Sequence, residues 1–130
     1  MADDGAAVPA ARTHKRQRFA SRLGFALRGL AHALSSEPSL KVQAAAGAAA
    51  LGALIVLRPA PLWWAVVLLG CAGVLAAELF NSAIERLADE LHPGDSQGIR
   101  IVKDCAAGAV LVAVLGALGV ALALLVELLR

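Results

Sequence analysis

The sequence contains no tyrosine, and its three phenylalanines and two tryptophans bring aromatics to only 4% of 130 residues. Sequence-tolerant nucleic-acid binding stacks bases on aromatic side chains, so this chain has little material for it and nucleic acid is not an expected partner. Cysteine is equally scarce. Cys71 and Cys105 stand far apart in apolar surroundings with no Cys-x-x-Cys pair. That excludes a zinc ribbon or thioredoxin-type motif, and both read as small buried hydrophobes. Charge is thin at 17% of residues, where soluble domains carry about 25%. None of the three lysines follows a glycine, so there is no Walker-type phosphate loop.

What remains is apolar. Hydrophobic residues make up 59% of the chain and the mean hydropathy is +0.72. That composition excludes a disordered chain and argues against an ordinary soluble globule. Three runs carry no Asp, Glu, Lys or Arg: Val42–Leu57 with 16 residues, Pro59–Ala77 with 19 and Cys105–Val126 with 22. A bilayer core about 30 Å thick needs about 20 helical residues. The second and third runs reach that length, and Lys41 and Arg58 can snorkel at the ends of the first. The expected spans are about 41–57, 62–91 and 100–128.

The breaks between the runs read as turns. Arg58-Pro59-Ala60-Pro61 stops one helix, and Trp63 and Trp64 follow at the depth of an interfacial aromatic belt. His92-Pro93-Gly94-Asp95-Ser96-Gln97-Gly98 reads as a polar loop. With three spans, the N-terminal side and this loop face the same compartment. They hold ten of the twelve basic residues, leaving Arg58 and Arg130 on the other side. Positive charge stays inside, so the N-terminus is expected in the cytoplasm, with the chain crossing the membrane several times. The N-terminus lacks the short apolar core and cleavage site of a signal peptide.

Residues 1–15 read as a disordered tail, and 16–130 as a single membrane domain. The domain opens with an amphipathic helix at about 18–35. There Phe19, Leu23, Leu27, Leu30 and Leu34 fall within about 80° of one another at about 100° per residue, with Arg28 opposite. A basic helix with one apolar stripe lies on a membrane surface or packs against a bundle.

The most informative segment is Ala77-Glu78-Leu79-Phe80-Asn81-Ser82-Ala83-Ile84-Glu85-Arg86-Leu87-Ala88-Asp89. With Glu78 at 0°, Asn81 lies near about −60°, Ser82 +40°, Glu85 −20° and Asp89 +20°. Three carboxylates and an amide therefore share one stripe, with Leu79, Ile84 and Ala88 expected opposite. Carboxylates inside a membrane are costly and belong in a bundle interior or polar cavity. Asp89 and Glu90 can equally sit solvated at the headgroup edge, whereas Glu78 lies about two turns deeper. Carboxylate and amide oxygens suit Mg²⁺. A general base must be a positioned proton acceptor, and Glu78 is the candidate. Such a site facing the cytoplasm suits phosphoryl transfer from a Mg-nucleotide. Lys103 and Asp104, opening the last span, can hold phosphate oxygens and orient a lysine or a metal-bound water; they can also be a solvated helix start. Glu37, in Ser35-Ser36-Glu37-Pro38-Ser39, is either a helix-boundary acid or a further metal ligand.

Glu78-Leu79-Phe80-Asn81-Ser82-Ala83-Ile84-Glu85 with Asp89, followed by Lys103-Asp104-Cys105-Ala106-Ala107-Gly108-Ala109-Val110, resembles the small bacterial membrane lipid kinases. These are the prokaryotic diacylglycerol kinases and their undecaprenol kinase relatives. The likeness extends in layout from about Arg18 to Leu129, and the two motifs are specific as a pair. It implies an all-α homotrimer, each chain a surface helix plus three spans, with active sites at subunit boundaries near the cytoplasmic face. It also implies transfer of the γ-phosphate of Mg-ATP to a lipid hydroxyl. By that resemblance Glu85, helped by Glu37, is a ligand of Mg²⁺. Glu78 is the base on the lipid hydroxyl. Asn81 shapes the site near the phosphates. Lys103, Asp104 and Arg18 contact the nucleotide, as does Glu85, and Asp89 is a further site residue.

Three positions depart from the family pattern. Gln43 stands where many members have a second acid, as it does in the undecaprenol branch. Gly94-Asp95-Ser96 replaces a Glu-x-His, and Pro38 directly follows Glu37. Two other readings use the same residues. The stripe could serve a non-enzymatic small transporter as an ion or proton path, or pair a structural subunit with a partner's basic residue. Neither needs Lys103-Asp104 or the basic surface helix.

Overall fold

A computed structural model describes residues 19–94 and 96–130. The 1–15 tail, Arg18 and Asp95 lie outside the described residues. Every element among the described residues is helical: α1 Phe19–Ser36, α2 Pro38–Leu57, α3 Pro61–Leu91 and α4 Gln97–Leu128.

Local chemistry sets the helix ends. Ser35 and Ser36 turn their hydroxyls back onto the His32 carbonyl at 2.7 and 2.9 Å, competing with the helix ladder as serines do. The next residue, Glu37, is extended at φ −99°, ψ 112°, because a residue before proline is pushed out of the helical region. Pro38 then starts α2, where a missing N–H costs nothing. This proline moves the start of α2 three residues ahead of the expected span. At the far end of α2, Arg58 caps the helix in the left-handed region, φ 47°, ψ 50°, and its N–H reaches the Leu54 carbonyl at 2.9 Å. Pro61 opens α3 in the same way as Pro38 opens α2.

Helix α3 is the centre of the bundle. Both α2 and α4 pack on it, and α1 touches α2 and α3. Small residues allow the approaches: a Cβ on Gly70 would meet Ala117 of α4 at 3.7 Å, and one on Gly47 of α2 would meet Cys71 at 3.9 Å. The apolar core of Leu54, Val67 and Leu124 is backed by Trp63 and Trp64. A cavity of about 250 Å³ between α2, α3 and α4 is lined by Gln43, Gly47, Gly70, Cys71, Val74 and Ala117, among others.

The outside is as apolar as the inside. Leu69 is 74% exposed and Val112 70%, with Leu111, Leu115 and Leu122 also open. Water would penalise such a surface heavily. A bilayer removes the penalty, and α2, α3 and α4 are each long and apolar enough to cross one. At a rise of about 1.5 Å per residue, α2 is about 30 Å long while α3 and α4 are about 46–48 Å. The two longer helices therefore extend past the hydrocarbon at one end. Most of the apolar stripe of α1 is not used inside the chain: Phe19, Leu23, Leu27 and Leu30 are all exposed, and Leu34 alone is half-buried.

Candidate active site

The packed seam of α3 runs through Val67, Cys71 and Val74 and then, at the same three-to-four-residue spacing, into Glu78, Ser82 and Glu85. The polar stripe thus occupies the face that packs inward. Glu78 is only 4% exposed and Ser82 6%. The carboxylate of Glu78 makes no hydrogen bond or ion pair with another described residue. Phe80, on the far side of the helix, is exposed. Ala88 departs from the expectation that it lies opposite the stripe. It is buried, because at about −80° from Glu78 it stands beside Asn81, at the edge of the stripe itself.

Within the stripe, the Asn81 amide Nδ2 donates to Glu85 Oε1 at 2.9 Å. That bond spans one helical turn and fixes the orientation of both side chains. It leaves Asn81 Oδ1 buried with no partner. A buried oxygen without a donor is unusual, and here it lies beside a carboxylate.

Lys103 and Asp89 are brought together: Lys103 Nζ donates to Asp89 Oδ1 at 2.5 Å, joining α4 to the last turns of α3. Asp104, the next residue, is exposed and takes no part in that pair. Glu37 Oε1 accepts two bonds from Arg86, 2.6 Å from Nη2 and 3.2 Å from Nε. Arg86 Nη2 also donates to Ser36 Oγ at 2.7 Å, and Nη1 lies 2.6 Å from His32 Nε2. Sequence reasoning missed Arg86, His32 and Ser36. The only hint was an arginine directly after the stripe's second glutamate.

Among the described residues no three His, Cys, Asp or Glu side chains gather tightly enough to hold a metal ion. The donors that one chain offers are still of the right kind. Glu85 and the unpartnered Asn81 Oδ1 are hard oxygens, and Mg²⁺ is commonly bound by one or two carboxylates with substrate phosphates and water filling the rest.

Three apolar helices around a buried acid, which continues into an amide–carboxylate pair, define a small membrane protein with an acidic site at one end of its central helix. The chain belongs to the prokaryotic diacylglycerol kinase family, which matches residues 24–125. A diacylglycerol kinase of Synechocystis sp. is 34% identical over 95 residues, covering 72% of this chain and 54% of that protein. The chain thus spans about half the length of that relative. No solved structure matches it.

Proposed function

We propose that the protein is a lipid kinase that uses ATP and Mg²⁺ to phosphorylate the hydroxyl of a membrane lipid. The product would be phosphatidic acid from diacylglycerol, or undecaprenyl phosphate from undecaprenol. One observation carries the reading: Glu78 is a buried residue whose carboxylate has no partner among the described residues, in line with the Asn81–Glu85 pair. Family membership supports the same chemistry.

In the proposed reaction the lipid hydroxyl oxygen attacks the γ-phosphorus, and the bond from phosphorus to the bridging oxygen of ADP breaks. The hydroxyl proton passes to the Glu78 carboxylate. Glu85 and the Oδ1 of Asn81 are the groups that would hold Mg²⁺, with Glu37 at the edge of the site. The ion would neutralise charge on the transferring phosphoryl group. Lys103, held by Asp89, offers its ammonium to phosphate oxygens, and Asp104 and Arg18 add nucleotide contacts. Val74, one turn before Glu78, lines the apolar cavity, which gives a lipid chain room beside the base.

Among the described residues one chain supplies few metal ligands, which supports a site completed between copies of a homotrimer. The ten-to-two division of basic residues supports an inner-membrane protein with a cytoplasmic N-terminus. Gln43 and the Glu78-Leu79-Phe80-Asn81 wording favour undecaprenol, while the name of the Synechocystis relative favours diacylglycerol.

The test is transfer of labelled γ-phosphate from ATP in detergent micelles with Mg²⁺, offering both lipids in parallel and using Glu85→Gln as control. Label in one lipid and not in the control establishes the reaction and the substrate. No label in either lipid from folded protein removes the kinase reading and leaves the ion-path alternative.

A further inference from the structure

Arg86 joins three pieces of the chain that nothing else in the described structure joins by side-chain hydrogen bonds. It projects from α3 on the turn that carries Glu85, about 100° round the helix from it. Its guanidinium reaches His32 and Ser36 on the last turn of α1, and Glu37 at the junction of α1 and α2. Arginine has only donors, so the His32 contact requires a bare Nε2 as acceptor, with the ring proton on Nδ1. The four contacts use the planar fork of the guanidinium, which a single ammonium cannot reproduce.

The partners explain why such a clamp is needed. Helix α1 leaves most of its apolar stripe exposed, Phe19 to Leu30, and touches α3 lightly. The junction itself is a single extended residue before Pro38, its N–H bonded to the Ala33 carbonyl at 2.8 Å and its carbonyl accepting from the Lys41 N–H at 3.3 Å. Glu37 is that residue. Both bonds to it reach Oε1, leaving Oε2 outside the Arg86 contact.

We propose that Arg86 is a positioning residue that fastens the surface helix to α3 and so sets where the Glu37 carboxylate stands relative to the acidic stripe. This rests on the reading above that Glu37 and Glu85 serve Mg²⁺ and phosphate. Arg86 acts through Glu37 and touches no reacting atom.

The experiment places spin labels on Arg22→Cys in α1 and Glu90→Cys at the end of α3, both exposed positions. The background is Cys71→Ala/Cys105→Ala, diluted with unlabelled copies in lipid bilayers. Arg86→Ala, Arg86→Gln and Arg86→Lys are compared for label distance, for Mn²⁺ binding with a non-hydrolysable ATP analogue, and for the Mg²⁺ dependence of lipid phosphorylation. Ser36→Ala removes one partner without touching α3 and covers the case in which Arg86 variants fold poorly.

Arg86→Ala and Arg86→Gln should broaden the distance distribution and weaken Mn²⁺ binding by on the order of tenfold, the usual cost of losing a group that orients a metal ligand. Arg86→Lys should recover part of both, and Ser36→Ala should broaden the distribution less. An unchanged distance in Arg86→Ala overturns the clamp. A broadened distance with unchanged Mn²⁺ affinity overturns the positioning role. Lost activity with unchanged distance and Mn²⁺ affinity also overturns it, since Arg86 would then act directly. If the parent chain phosphorylates neither lipid, the proposed reaction falls, while the distance and Mn²⁺ arms still decide the role of Arg86.

Discussion

Each acid of the stripe has a different environment, and the environments predict different losses. Glu78 is buried and makes no bond to another described residue, whereas Glu85 accepts from Asn81. Glu78→Gln keeps the volume and removes the proton acceptor. It should lower phosphoryl transfer about 10²–10⁴-fold, the usual contribution of a positioned base, and added Mg²⁺ should not restore the rate. Glu85→Gln should also lower the rate, but with a raised Mg²⁺ requirement that excess ion partly overcomes. Initial rates across a Mg²⁺ series separate the two, and rescue of Glu78→Gln alone would reverse the roles. The 3.6-residue period was enough to place these acids on one face. It could not show that Glu37 is held by Arg86, because that contact joins residues 49 apart and depends on how α1 folds back on α3.

Among the elements, the helices were legible because the signals are local: charge-free runs, paired prolines and a polar loop. Their packing was less so. Ala88, expected opposite the stripe, is buried because at about −80° it stands beside Asn81 at the stripe's edge. The approach of α3 to α4 is a tertiary feature with no local signal, and Gly70 against Ala117 fixes one point of it. A methyl at Gly70 would sit at 3.7 Å from Ala117, an ordinary contact, so Gly70→Ala should unfold at nearly the parent temperature in detergent. Gly70→Leu must push the helices apart, and overpacking of this kind costs about 1–3 kcal/mol. A lowered Tm for Gly70→Leu, with Gly70→Ala unshifted, is the expected pair. Equal Tm values for both would mean that the helices part freely at this level.

For the whole molecule, two asymmetries have to agree. The polar end of α3, with Glu78, Glu85 and Asp89, points toward the α3–α4 loop. Arg86, Arg100 and Lys103 lie at the same end, as do α1 and Lys41. The opposite end has the Arg58 turn and the two tryptophans. If positive charge fixes orientation, the acidic stripe opens to the compartment that holds ATP, and a kinase of this design works only that way round. The orientation can be tested apart from activity. With Cys71 and Cys105 replaced by alanine, Ser96→Cys in the α3–α4 loop should resist a membrane-impermeant thiol reagent added to intact cells and react after lysis. Arg130→Cys, beyond the far end of α4, should react in intact cells. The reverse pattern would put the stripe on the side without nucleotide. It would remove the lipid kinase reading even though every helix stood where the structure places it.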